Sequence, residues 1–178
     1  QDAEGNVNLA PYSFFNGVAY TPPQVMFSTS GPHTDGGLKD TISNIHETGE
    51  FVVNIATWAL RHAVNETSTP APRHVDEFEA VGLEKENSQL VSPPRVAASP
   101  IHLECIYNQT VELEQTEPDV SNLVVFGTVI GIHIDDDIMV DGMVDLMKAD
   151  VVARLGYRDY TRVTDFYSLD RPGWPMDK

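Results

Sequence analysis

The sequence predicts an all-β or α+β barrel with a few short helices. Two segments, 101–113 and 122–134, carry this prediction because each places apolar side chains at strand spacing over the length of a long strand. Gly127 and Gly131 lie within the second segment, where they indicate the bends that a closing barrel needs. The helical patterns elsewhere are few and short, which agrees with a fold built mainly from strands.

The beginning of the chain predicts a turn and two strands. Asp2 and Gly5 form a hairpin signal ahead of a run of apolar and small residues. Pro11 falls inside the run 8–18, and because proline cannot donate to a sheet ladder, this run predicts an edge strand or a bulge. In 25–29 the residue types alternate as in a half-buried strand. Since a hairpin needs a strand on both sides, we expect a further strand before residue 1.

A loop and a short helix come next. Segment 31–38 contains several glycines and predicts a flexible loop. Ile42 and Ile45 then share one side of a helix that begins near Lys39. Gly49 is placed to cap the C-terminus of that helix.

The middle of the chain alternates between apolar and polar segments. Segment 51–56 predicts a strand, and 57–65 and 75–81 predict helices. The polar stretch 84–94 is expected to be exposed. Towards the end, we expect an acidic turn at 114–122, a turn at Asp135–Asp137 with a short strand after it, and an irregular remainder.

Composition limits the possible functions. The 178 residues fit one domain, with no repeat and no sign of a second domain. The net charge of −16 disfavours nucleic acid and anionic membranes as partners, because both require basic patches. No apolar run approaches the roughly 20 residues of a membrane span, so we expect a cytoplasmic protein. Cys105 is the single cysteine, which excludes an internal disulfide and predicts an inert, buried side chain.

The sequence 39–41 is the sharpest candidate for a binding site. A glycine-containing loop leads into a helix start there, where free N–H groups and the positive end of the helix dipole favour an anion. Lys39 adds a full charge and Thr41 a hydroxyl, and Ser28 and Thr29 end the preceding strand within possible reach. The alternative is that Asp40 or Thr41 caps the helix while Lys39 is solvated.

Other chemistries find little support. The six histidines are scattered, and His133 near Asp135–Asp137 is better explained as a strand end followed by a solvated acidic turn than as a metal cluster. The serines lack the Gly-x-Ser-x-Gly elbow of hydrolases. Neither a Gly-x-Gly-x-x-Gly sequence nor a P-loop is present, so no dedicated nucleotide-binding motif is expected.

Several stretches, in order along residues 1–160, resemble the flavin reductase-like, FMN-binding split-barrel family. Any one of them is weakly specific, whereas their combination is typical of the family. The matching stretches are Asn-Leu-Ala-Pro-Tyr-Ser-Phe-Phe-Asn at 8–16, Pro-Pro-x-Val-Met-Phe-Ser at 22–28, Lys-Asp-Thr at 39–41 with Asn44 and Ile45, Thr-Gly-Glu-Phe-Val-Val-Asn at 48–54, Pro94-Arg95-Val96, Ser99-Pro100, Leu103-Glu104-Cys105, and Arg154-Leu155-Gly156.

This resemblance implies a mainly β fold, a six-stranded antiparallel split barrel with peripheral helices. It assigns residues 1–165 to the barrel domain and 166–178 to a C-terminal tail. Members of the family are homodimers with flavin sites at or near the interface, and we expect the same here.

The resemblance also implies where FMN would bind. The phosphate would lie at Lys39, Asp40 and Thr41 with Ser28 and Thr29, the segment in which family members hold it. Arg154 would reach the flavin or its phosphate from the same or the partner chain, although a surface ion pair is an equal alternative. Tyr157 and Tyr160 are candidates for stacking on a nicotinamide. The isoalloxazine ring would lie against Asn8, Leu9, Ala10 and Ser13.

The function implied is that of an NAD(P)H:flavin oxidoreductase. A hydride would pass from C4 of NADH or NADPH to N5 of FMN, and electrons would then go to free flavin such as FAD or riboflavin, to oxygen, or to a partner oxygenase. No side chain is needed as a catalytic acid or base, and the sequence shows no catalytic dyad. The alternatives are a flavoredoxin-like electron-transfer protein that holds FMN without oxidising NAD(P)H, and a barrel that has lost its flavin.

Overall fold

The computed structural model describes residues 1–117 and 120–174. The predictions of an acidic turn at 114–122 and of a tail at 166–178 lie partly outside these residues. The elements, in chain order, are β1 (Phe14–Tyr20), β2 (Pro23–Ser30), α1 (Asp40–Thr48), β3 (Glu50–Asn54), α2 (Arg61–Glu66), α3 (Glu77–Val81), β4 (Lys85–Glu86), β5 (Arg95–Val96), β6 (Ile101–Leu113), β7 (Asn122–Ile134), a 3-10 turn (Asp136–Ile138), β8 (Met139–Val140), β9 (Met143–Val144), α4 (Leu146–Ala149), β10 (Val152–Gly156) and β11 (Asp159–Arg162).

The main sheet is antiparallel and has the strand order β1-β2-β7-β6-β3. The mainly β prediction is confirmed, but this sheet has five strands rather than six. The other strands of the described residues form three separate two-stranded hairpins, β4–β5, β8–β9 and β10–β11. The long strands predicted at 101–113 and 122–134 are confirmed as β6 and β7.

The core lies where helix α1 packs on the main sheet. Alternation along β2 buries Val25, Phe27 and Thr29, as predicted. Helix α1 buries Ile42 and Ile45 against this face, and Gly49 ends the helix in the left-handed conformation that the sequence predicted. Each buried aliphatic or aromatic side chain of this cluster contributes about 1.5–3 kcal/mol to folding.

Two glycines shape β7 as predicted. The pairing of β6 with β7 shifts register opposite both Gly127 and Gly131, so the strands bend there. A Cβ atom on Gly127 would lie 2.4 Å from Cζ of Phe51 and 3.1 Å from the carbonyl oxygen of Ile106. Glycine is therefore required at this position because the ring of Phe51 occupies the space of a side chain.

The predicted strand within 8–18 is shorter than expected. The turn forms, with the Asp2 N–H donating to the Asn6 carbonyl at 2.9 Å, but no strand flanks it in the described residues. The chain then runs without sheet pairing until Phe14, where edge strand β1 begins. Pro11 has no N–H to give to a ladder, which is consistent with a later start of the strand.

The stretch 84–94 is not simply exposed, because a buried carboxylate organises it. Glu104 on β6 has no exposed surface, and its oxygens accept the backbone N–H groups of Gln89, Leu90 and Val91 at 2.9, 2.6 and 3.1 Å. His133 on β7 also contacts this carboxylate through Nε2. Burial alone would raise the pKa of Glu104, but these donors outweigh it and hold the pKa below its ordinary value. The sequence prediction missed this network because it joins separate segments.

The region after β7 is also more regular than predicted. Asp135 caps the 3-10 turn and Asp145 caps α4, each by accepting backbone N–H groups. His133 points to Glu104 rather than to Asp135–Asp137, and the described residues contain no cluster of three metal-ligating side chains. Similarly, the helix predicted at 57–65 begins only at Arg61, since Thr57 pairs with Val151 in an isolated β-bridge.

Two remaining expectations concern Cys105 and the membrane. The predicted burial of the Cys105 side chain is confirmed, and burial raises the pKa of its thiol to about 12, which disfavours the reactive thiolate. Among the described residues, the helices are all too short or too polar to cross a bilayer.

Candidate flavin site

A cleft of about 450 Å³ opens beside the main sheet. We call the unpaired segment 8–13 the wall segment, and its residues 9–13 line the cleft. The cleft is also lined by residues of β3 and those that follow it, of α2, and of the hairpin β10–β11. Its lining is mainly apolar and includes Leu9, Ala10, Tyr12, Ser13, Phe27, Val53, Ala56, Leu60, Ala63, Val64, Val152, Arg154 and Tyr160.

Side chains, rather than sheet hydrogen bonds, hold the wall segment. Asn8 donates through Nδ2 to the Thr41 hydroxyl at 2.6 Å, and its Oδ1 accepts from Nδ2 of Asn44 at 2.9 Å. The Tyr12 ring packs 4.6 Å from the ring of Phe27, centroid to centroid. Burial raises the pKa of Tyr12 to about 12, so the phenol is neutral at physiological pH. The early segment and the start of α1 are therefore neighbours, as the sequence predicted.

The predicted ring-binding residues divide between two cavities. Leu9, Ala10, Ser13 and the distant Arg154 line the cleft. Asn8 instead lines a smaller cavity of about 60 Å³, which it shares with Thr41 and Leu9. Leu9 thus lies between the two cavities and links the cleft to the start of α1.

The predicted phosphate-binding residues lie outside the cleft lining. Lys39, Asp40 and Thr41 form the start of α1, whereas Ser28 and Thr29 lie near the end of β2. Asp40 forms an ion pair with Arg73, and its other oxygen lies 3.6 Å from Nε2 of His33. Lys39 occupies the N-cap position and makes no hydrogen bond or ion pair through its side chain within the described residues. Neither Asp40 nor Thr41 caps the helix, so the two first N–H groups of the helix and the Lys39 ammonium are available to an anion.

Thr29 on β2, one of the predicted phosphate-binding residues, has an unsatisfied hydrogen-bonding group. Its hydroxyl oxygen is buried and has no hydrogen-bond partner in the described structure. Ser28, the neighbouring residue, is half-buried. A buried hydroxyl without a partner is energetically unfavourable by about 1–3 kcal/mol, which makes Thr29 a candidate ligand donor.

Three arginines lie on α2 and the β10–β11 hairpin, which both contribute to the cleft, and Arg154 itself lines it. Arg154 donates to the Tyr160 hydroxyl at 3.0 Å and stacks 4.9 Å from that ring. The guanidinium carbons of Arg61 and Arg162 lie 4.2 and 5.1 Å from the centroid of the Trp58 ring. We call Arg61, Arg154 and Arg162 the arginine edge. Of these three arginines, only Arg162 has a carboxylate partner within the described residues, Asp150, so the arginine edge carries more guanidinium groups than paired carboxylates.

Sequence reasoning missed several residues of this site. Asn44, Glu77 and Arg73 hold the wall segment and the start of α1, yet they lie 33 or more positions from their partners. No local pattern marks such residues, although Asn44 fell within the quoted motif. Arg154 was predicted, and it contacts Tyr160 rather than a carboxylate; Tyr157 is 96% exposed.

Comparison with known proteins finds a matching family profile, related sequences and similar solved structures. The family profile described as flavin reductase like domain matches residues 2–149. An uncharacterized protein of Deinococcus radiodurans is 38% identical over 168 residues, covering 92% of this chain and 71% of that protein. Nitrilotriacetate monooxygenase component B from Bacillus cereus has a similar structure, with a TM-score of 0.84, 32% identity, and coverage of 94% of this chain and 82% of that one.

A further solved structure bears on the fold alone. It is a protein from Shewanella frigidimarina assigned as a flavin reductase with a split barrel domain. Its TM-score is 0.83 at 24% identity, with coverage of 96% of this chain and 82% of that chain.

Proposed function

This chain belongs to the family of flavin reductase-like domains, and we propose that it is an oxidoreductase that binds FMN and reduces it with NADH or NADPH. The resemblance noted in the sequence is confirmed, as is the split-barrel fold. The family is one of flavin-binding oxidoreductases. The finer statement, that FMN is the flavin and a nicotinamide the donor, is our proposal.

The observation that carries the proposal is the apolar cleft beside the wall segment. Its volume of about 450 Å³ lies within the ~300–1,000 Å³ range of small-molecule sites. Small side chains at Ala10 and Ser13 would let a flat ring approach the backbone, while Phe27 and Val53 contribute apolar surface. When bound, FMN would supply the hydride-accepting N5, and the chain would orient the ring and exclude water.

The phosphate of FMN would be held at the start of α1. Lys39 offers a free ammonium, the helix offers unpaired N–H groups, and Thr29 offers a buried hydroxyl without a partner. We propose that Ser28, Asp40 and Thr41 lie near the phosphate. Asp40 and Thr41 would contribute less to binding it, because Asp40 is paired with Arg73 and Thr41 is bound to Asn8. This arrangement supports a phosphate-bearing flavin over riboflavin.

Lys39→Ala is expected to weaken FMN binding about tenfold while leaving riboflavin binding nearly unchanged, since only FMN carries the charge that Lys39 would neutralise. Fluorescence titration of both flavins measures this difference. Lys148→Ala is a suitable control, because its ammonium contacts the carbonyl of Asp137 far along the chain. Equal losses for the two flavins would place the ring, rather than the phosphate, near Lys39.

The arginine edge suits a nicotinamide donor. NADH and NADPH carry a pyrophosphate, and Arg61 and Arg154 are guanidinium groups without carboxylate partners in the described residues. The exposed aromatic surface of Tyr160, which lines the cleft, would stack on the nicotinamide. We propose that the dinucleotide crosses this edge to reach the flavin.

Steady-state oxidation of NADH and NADPH in the presence of FMN tests the proposed function. Turnover that requires both FMN and a nicotinamide supports an NAD(P)H:flavin oxidoreductase. A protein that binds FMN and is reduced by light, but does not oxidise either nicotinamide, would instead be an electron carrier. A protein that binds no flavin would overturn the proposal altogether.

We further propose a homodimer and delivery of electrons to free flavin, including FAD or riboflavin, to oxygen or to a partner oxygenase. The solved relative from Bacillus cereus is one component of a monooxygenase, which supports an oxygenase partner. Exposed apolar side chains along β6 and β7, among them Ile132 at 57% and Leu113 at 46%, would be covered in a dimer. Sedimentation velocity measures the number of chains in the assembly, and a mass of two chains would support the homodimer.

A further inference from the structure

Glu77 is distinctive among the titratable groups outside the cleft, because it lies on α3 and its side chain binds the backbone of the wall segment. It is the first residue of α3, and its Oε2 accepts the backbone N–H of Leu9 at 2.8 Å. The two residues are 68 positions apart in the chain. Leu9 belongs to the wall segment and lines the cleft, so this hydrogen bond connects α3 directly to the site.

The wall segment has few other supports near Leu9. It has no sheet partner in the described residues, and its neighbouring contacts are those of Asn8 with α1 and of Tyr12 with Phe27. Both of these are made by side chains. The bond to Glu77 is the one that fixes the backbone at Leu9, where the chain passes from the small cavity to the cleft.

Helix α3 is itself well anchored, which gives Glu77 a fixed base. Phe78 is 2% exposed, and Asp76 caps the helix by accepting the N–H groups of Phe78 and Glu79. Lys85 forms an ion pair with Asp76 and so neutralises the cap. A carboxylate on such a helix can hold a backbone amide in one position.

The environment of Glu77 disfavours the ionised carboxylate. A carboxylate kept in such a place is better explained by a specific contact than by exposure to solvent. Burial, followed by the nearby charges of Asp40 and Asp76, raises the pKa of this carboxyl, while the Leu9 N–H opposes the rise. A surface position would avoid this penalty. The N–H of Leu9 is the larger of the two backbone donors that compensate this carboxylate, the other being the N–H of Glu77 itself.

We infer that Glu77 is a positioning residue for the flavin site, holding the Leu9 backbone so that the wall segment presents one fixed surface to the isoalloxazine ring. The inference rests on the proposed function. Because the wall segment would contact the ring and not the phosphate, Glu77 should affect FMN and riboflavin equally. Lys39, by contrast, should affect FMN alone.

Glu77→Gln and Glu77→Ala test the inference. In the flavin-free protein, amide hydrogen exchange at Leu9 should become faster in both variants, with the larger change in the alanine variant. FMN and riboflavin affinities should both fall by the same factor, about tenfold for alanine, because a hydrogen bond to a charged group is lost and the wall is released. The visible absorption band of bound FMN should also shift, which a purely structural residue would not cause.

Glu79→Gln is the matched control, because Glu79 lies on the same helix with a side chain that is 80% exposed. It should leave exchange at Leu9, both affinities and the absorption band unchanged. If Glu77→Ala binds both flavins like the unmodified protein, the inference is wrong although the proposed function stands. If the unmodified protein binds neither flavin, the proposed function is wrong. The role of Glu77 in flavin binding is then wrong as well, whatever result amide hydrogen exchange at Leu9 gives.

Discussion

Glu104→Gln is expected to lower the free energy of unfolding by about 2–4 kcal/mol, the largest stability effect that we predict. The substitution keeps the shape of the side chain but replaces one acceptor oxygen with a donor NH₂ group. At least one of the N–H groups of Gln89, Leu90 and Val91 then faces a donor in a fully buried position. Urea unfolding at pH 7 measures the change.

Glu112→Gln provides the control for this experiment. Glu112 lies on the same strand, β6, but its side chain is exposed, so its replacement should change the unfolding free energy by less than about 0.5 kcal/mol. A similar small effect at Glu104 would show that the stretch 84–94 does not depend on the buried carboxylate.

The Glu104 contribution should also depend on pH. The pKa of Glu104 is lowered in the folded protein, so its contribution is present above the ordinary value of 4.5 and is lost as the pH falls through the folded value. The difference in stability between the unmodified protein and Glu104→Gln should therefore narrow as the pH falls below 4.5. Unfolding curves measured over this range provide the test, and a difference that widens would contradict it.

Ala63→Phe is expected to weaken binding of both FMN and riboflavin at least ~100-fold, which is the largest functional effect that we predict. Ala63 lies on α2 and lines the cleft. A phenyl group there would occupy space that the isoalloxazine ring needs, while an α-helix accepts phenylalanine at small cost. Fluorescence titration with each flavin measures the loss.

His62→Phe is the matched control, since His62 is exposed on the same helix and does not line the cleft. It should bind both flavins like the unmodified protein. Circular dichroism spectra and thermal unfolding of the two variants should agree closely, which would exclude misfolding as the cause. Full flavin affinity in Ala63→Phe would show that the ring binds elsewhere.

The sequence by itself determined the elements whose signal is local. Alternation of apolar and polar residues was enough to predict β2, and the isoleucine spacing with a terminal glycine was enough to predict α1. The long strands β6 and β7 and their glycine bends were predicted for the same reason. The order of the family motifs also led to the correct family.

The tertiary structure alone decided how the site is held together. The bond from Leu9 to Glu77, the contact of Asn8 with Thr41, and the loop held by Glu104 join residues between 13 and 68 positions apart. The segment 8–13 also lacks sheet pairing, although its composition suggested a strand. Periodicity in a sequence reports which face of one element is buried, but not which distant polar group will meet a free backbone N–H, and that pairing shapes the cleft.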